Sequence, residues 1–233
     1  MTVGAAFRAD TDVFAAEHIA YLHPLLNFRE IPLLGRQLFE SWESLLGLTP
    51  EENARAVAEG FDAQQRWLDG LREQGRAILD QLEAEDRMGI VMLGRPYHHD
   101  PGLNHGIFEE FQKLGYPVLS QTSLPVDPWT LERVFGSDHP LDIEDVWKHS
   151  FSASTSQKIW AAKFVARHPN LIGIEISSFK CGHDAPAYQL VQRILESAGK
   201  PYFAFHDLDE NKPASSLRIR IETIDYYLRH IWK

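Results

Sequence analysis

Gly89-Ile90-Val91-Met92-Leu93-Gly94-Arg95-Pro96-Tyr97-His98-His99-Asp100-Pro101-Gly102-Leu103-Asn104-His105-Gly106 is the stretch on which the fold turns. Its first five residues form an apolar run of strand length, and a helical pattern begins near Gly106. Between the two lies a loop that crowds three histidines, an arginine, an aspartate and three glycines together. A loop so rich in titratable and φ-permissive residues, placed directly after a buried type of strand, is where an α/β protein puts a ligand.

Downstream the same alternation repeats. Short apolar runs at Pro117 to Leu119, Leu171 to Ile176 and Tyr202 to Phe205 are separated by helical patterns at Gly106 to Leu114, Gln157 to Arg167 and Pro186 to Ala198, and Ser215 to Trp232 closes the chain. Short strands separated by helices predict βαβ units, hence an α/β domain over 87–233 with a small, doubly wound, mostly parallel sheet. The connection from Ser120 to Ser156 is long for this scheme; its prolines and its serine-rich end predict a surface excursion or a lid.

Upstream, residues 1–86 read as an α-helical region. Apolar residues recur at helical spacing over Phe14 to Leu22, Gly35 to Leu46 and Ala54 to Leu82. Thr49-Pro50-Glu51-Glu52 has the form of a capping box with proline at the first helical position. The Phe61 and Trp67 stripe is read as core.

The whole chain bounds the function classes. Its 233 residues suffice for one core plus a helical appendage. A net charge of −10 disfavours broad contact with nucleic acid or an anionic membrane, since both need a basic footprint. One cysteine excludes an internal disulfide and fits a reducing compartment. With no apolar run of membrane-spanning length and no signal-peptide layout at the start, the expected location is the cytoplasm.

In an open parallel sheet the loops after the strands gather at one edge. Three unusual loops follow strands here: Arg95 to His105, Ser177-Ser178-Phe179-Lys180-Cys181-Gly182-His183-Asp184, and His206 to Lys212. Arg95, His98, His105, Lys180, Cys181 and Asp184 are therefore expected to line one crevice. His98, His99, Asp100 and His105 are donor types for zinc or iron(II), although neighbouring histidines in an extended loop point apart. Arg95 and the glycines suit a phosphate or carboxylate, against the alternative of an ion pair with Asp100 or another carboxylate. Cys181 follows Lys180 and precedes His183-Asp184 and a helix start at Pro186, surroundings that favour a thiolate. The packed, inert cysteine is the competing reading. Ser215-Ser216 is read as an N-cap for the last helix.

Leu93 to Gly106, Ser177 to Pro186 and Asp209-Glu210-Asn211-Lys212-Pro213, in that order, resemble the acyl-CoA dehydratase activase-related proteins, and specifically the C-terminal region of long 2-hydroxyacyl-CoA dehydratase activase fusions. The likeness runs from about Arg87 to Leu228. It implies a Rossmann-like domain of the dehydratase-subunit type, an iron–sulfur cluster shared with a partner, an activase ATPase and other dehydratase-type subunits as partners, and an acyl-CoA as substrate. By the same resemblance Cys181 is a cluster ligand and the Gly94 to Gly106 loop faces the same crevice; Arg95, His98, His99, His105, Lys180, His183 and Asp184 are the expected cofactor-binding positions. The chain departs from that pattern in lacking further cysteines and ATPase motifs. Two other readings stay open: a non-catalytic module that binds an anion or a partner, and a metal-dependent hydrolase using the histidine loop.

Overall fold

A computed structural model describes residues 2–8, 11–136, 139–177, 182, 184–206, 208 and 214–232. The chain divides into two compact units, Met1–Trp67 and Leu68–Lys233.

The first unit is helical. After α1 (Thr2–Ala6) and α2 (Val13–Ala16) comes α3 (Ile31–Leu46), which Gly47 ends in the left-handed region at φ 63°. The helix expected over Phe14 to Leu22 stops early because His18 turns the backbone to φ 54°. At the start of α4 (Pro50–Ala84) the capping box forms as the sequence predicts: the Thr49 N–H donates to Glu52 Oε2 at 2.9 Å and the Glu52 N–H to Thr49 Oγ1 at 3.2 Å. The unit buries little. Leu34 is buried, and Asn53 is fixed by donating from Nδ2 to the Gly35 carbonyl at 2.8 Å, whereas Trp67, expected in the core, is 62% exposed.

The second unit begins on α4 and builds the sheet. Its elements are β1 (Gly89–Leu93), α5 (Ile107–Lys113), β2 (Val118–Ser120), α6 (Pro128–Phe135), α7 (Ala153–Arg167), β3 (Leu171–Ile176), α8 (Ala185–Ser197), β4 (Phe203–Phe205) and α9 (Ala214–His230). The four strands are all parallel, in the order β2-β1-β3-β4. Strand alternation divides the core into two layers. Ile90, Met92, Ile172, Ile174 and Ile176 pack against Ile107 and Phe111 of α5 and Leu217, Ile221 and Ile224 of α9. Val91, Leu93 and Leu171 pack on the opposite face against Ile159 and Phe164 of α7, Val191 and Leu195 of α8, and Leu79 and Leu82 of α4. The expected doubly wound, Rossmann-like sheet is therefore present, preceded by helices.

Two expectations change. The 120–156 connection is no simple surface excursion: it contains α6, capped by Asp127 through the Thr130 N–H at 3.0 Å, and buries Leu124 and Leu131 in the core layer. The last helix already runs from Ala214, so Ser215 and Ser216 lie in its first turn.

Close backbone approach shapes this unit at Gly75. A Cβ there would overlap the Ser123 carbonyl, so only glycine lets α4 lie against the turn at 121–123.

Candidate functional site at the carboxyl edge

β1 and β3 are neighbours, and their chains leave in opposite directions: β1 leads through α5 to the outer strand β2, and β3 through α8 to β4. The gap between their carboxyl ends is the topological switch point, where open α/β sheets accept ligands. Gly94 is fitted to this gap, since a Cβ there would stand 2.9 Å from His98 Nδ1 and 3.2 Å from the Ile176 carbonyl. Its N–H donates to Gln121 Oε1 at 3.2 Å. Pro96–His99 then form a 3-10 turn that is closed when the Arg95 N–H donates to His98 Nδ1 at 3.1 Å. His98 is buried in this position. Burial pushes its pKa down to about 4, with Lys158 and Arg95 acting in the same direction and Asp184 opposing.

Arg95 reaches from this loop to the one after β3. Its Nε donates to Asp184 Oδ1 at 2.8 Å, and its other nitrogens donate to Ser152, Ser154 and Thr155 at the start of α7. Asp184 also faces Lys158 Nζ at 3.1 Å and accepts from the Ser177 hydroxyl at 2.9 Å. Lys158 donates in turn to Glu175 Oε1 at 2.9 Å. Lys158, Glu175 and Asp184 have fully buried side chains, and that of Arg95 is 11% exposed. Burial alone would raise the Asp184 pKa; Lys158, the Ser177 hydroxyl and Arg95 outweigh it and hold the carboxyl below the usual carboxylate range. The Glu175 end of the network includes Tyr202, which donates to Oε2 at 2.6 Å, and His206. Burial, and after it the Glu175 charge, raise the Tyr202 pKa.

Of the residues singled out in the sequence, Arg95, His98 and Asp184 come together. Asp100 is not the arginine's partner; it accepts from the Gly102 and Leu103 N–H groups and shapes its own turn. His99 lies edge-on to Phe108, 6.2 Å between ring centroids, and burial lowers its pKa. His105 takes φ 55° just before α5. Lys180, Cys181 and His183 lie outside the described residues. Among the described residues no three His, Cys, Asp or Glu side chains gather as a metal-binding group.

The sequence reading missed Lys158, Glu175 and Tyr202, and named Ser177 only as the start of its loop. One signal was available: Glu175 is a lone charge inside Leu171-Ile172-Gly173-Ile174-Glu175-Ile176, a run that buries every residue. A charge in such a run requires a buried partner.

The pattern of the CoA enzyme activase uncharacterised domain, DUF2229, matches residues 3–124, just over half of the chain. The chain belongs to that family. The matched span takes in the helical unit and continues through β1, the Gly94 to Gly106 loop, α5 and β2; the segments 177–186 and 209–213 lie beyond it. No match is found among the curated proteins or among the solved structures. No helix among the described residues is long and apolar enough to cross a membrane.

Proposed function

We propose that this chain works as a subunit or domain of a 2-hydroxyacyl-CoA dehydratase/activase-related system, acting on acyl-CoA-type substrates together with an activase ATPase and dehydratase-type partners. The observation that carries the reading is the docking of two loops. The Gly94 to Gly106 loop, inside the family match, is tied by Arg95 to Asp184. Ser177 and Asp184, which flank in sequence the segment that contains Cys181, are themselves bonded. In this reading the crevice at the switch point receives the thioester end of the substrate, and Arg95, His98, His99, His105, Lys180, His183 and Asp184 shape it.

The chain alone does not fit an iron–sulfur cluster. It offers one thiolate where a [4Fe–4S] centre usually takes four, and the described residues hold no substitute donor group. No redox step is therefore assigned to its own residues. Cys181 supplies one ligand, and a partner supplies the rest. Anaerobic reconstitution with iron and sulfide tests this, with the chain alone and with the proteins that co-purify from its host. Visible iron–sulfur absorbance is expected only in the complex, and Cys181→Ser should abolish it while changing thermal stability by less than about 1 kcal/mol. Full cluster assembly in the serine variant overturns the ligand role.

A second reading is favoured by Arg95 itself. Four of its five N–H donors are already directed to Asp184, Ser152, Ser154 and Thr155, which suits a rigid, non-catalytic platform for an anion or a partner. Co-purifying partners that retain full dehydratase activity without this chain would select it.

A further inference from the structure

At the carboxyl end of β4 the two ring nitrogens of His206 have different surroundings. Nε2 stands 3.1 Å from the Tyr202 hydroxyl and 3.3 Å from Glu175 Oε2. The single Tyr202 proton is committed to Glu175 Oε2 at 2.6 Å. Both neighbours of Nε2 are thus acceptors, so Nε2 carries the hydrogen and Nδ1 keeps the lone pair. Nδ1 has no hydrogen-bond partner among the described residues, and the side chain is 30% exposed.

The ring is also held in place. It stacks on Tyr188 with centroids 3.9 Å apart and 13° between planes. Glu175 cannot swing, because Lys158 Nζ fixes its other oxygen at 2.9 Å. A buried carboxylate that selects one imidazole tautomer also offsets the charge when the ring takes a second proton, which is how a histidine is prepared for proton transfer. His98 is a useful contrast. It is buried and spends Nδ1 on the Arg95 N–H, so it has no lone pair to offer.

We propose that His206 is an acid–base residue whose Nδ1 takes and returns a proton of a bound substrate, with Glu175 and Tyr202 as its positioning residues. The substrate class rests on the acyl-CoA reading above. The Cα–H bond of the thioester breaks, its electron pair moves into the carbonyl to form the enolate, and the proton forms an N–H bond at Nδ1. Return of a proton to Cα restores the thioester, so no oxidant or reductant is needed. In D2O the returned particle is a deuteron.

The experiment incubates the full chain with butyryl-CoA in D2O, reading binding by calorimetry and Cα deuteration by mass spectrometry. Wild type is expected to bind and to exchange. His206→Gln should bind equally and exchange about 100-fold more slowly, the lower end of what a positioned base contributes. Tyr202→Phe should lower the rate at saturation about 10-fold without changing binding, a split that a purely structural role would not give. Should the glutamine variant fail to fold, the Tyr202→Phe comparison decides. Binding without exchange, or exchange at the wild-type rate in a folded His206→Gln, overturns the proposal and leaves the acyl-CoA reading standing. Absence of binding overturns that reading and this inference with it.

Discussion

Arg95 Nε and Asp184 Oδ1 are 2.8 Å apart although their residues are 89 positions apart in the chain. The pair joins the loop after β1 to the loop after β3 and makes one structure of the switch point. Asp184→Ala is expected to cost about 3–5 kcal/mol, because Arg95 and Lys158 then lose a shared, fully buried counter-charge. Chemical denaturation of the variant measures it. A loss below 1 kcal/mol would mean that water reaches both cations.

Lys158 and Glu175 form the second half of the same arrangement. Lys158→Met leaves two buried carboxylates without their common cation and should cost as much as the aspartate variant. Adding Glu175→Gln to Lys158→Met should recover a measurable part of the loss, since neighbouring sites do not add. Strict additivity in the double-mutant cycle would show that the two side chains are not coupled.

His98 is expected to carry a large share of the acid sensitivity of the fold, with His99 and His168, whose pKa values burial also lowers, acting in the same direction. In the unfolded chain His98 binds a proton near its ordinary value of 6.5, while the folded chain resists until about 4. Between those limits the unfolded state holds more protons, so stability falls as pH is lowered from 6.5 towards 4, by up to about 3 kcal/mol. Protonation would also break the bond from the Arg95 N–H. His98→Gln should flatten this part of the stability–pH curve, which melting at several pH values reads. Asp184, held below the carboxylate range, adds its own loss at lower pH as it is protonated.

Two glycines of α4 should respond in opposite ways to the same change. Gly70 has nothing within 4 Å of a built Cβ, so Gly70→Ala should stabilise by up to about 1 kcal/mol through helix propensity. Gly75 faces the Ser123 carbonyl, and Gly75→Ala should destabilise by about 1–3 kcal/mol because backbone must move. Thermal melts of the two variants decide the point; equal effects would remove the close packing of α4 on the 121–123 turn.

The elements that the sequence shows best are those in which one force dominates. β1 is a continuous apolar run and β3 is one but for Glu175; both are buried along their whole length, and their bounds match the reading residue for residue. β2 and β4 are three residues each, so Pro117 and Tyr202 were read into strands that start one residue later. Of the site, the meeting of Arg95, His98 and Asp184 after β1 and β3 was legible because topology places those loops at one edge; Lys180, Cys181 and His183 lie outside the described residues. Its buried partners were not, because nothing local in Lys158 or Tyr202 says that each meets Glu175, 17 and 27 residues away. Arg95 illustrates the same limit: its need for a carboxylate was readable, while the choice of Asp184 over Asp100 depends on how the chain returns after β3.

The four buried charges of the switch point, Arg95, Lys158, Glu175 and Asp184, sum to zero. Set in a chain of net charge −10, such a neutral centre would project no attractive field towards the anionic acyl-CoA of the proposed function. Capture must then rest on contact geometry, and added salt, by screening the acidic surface, should speed the encounter.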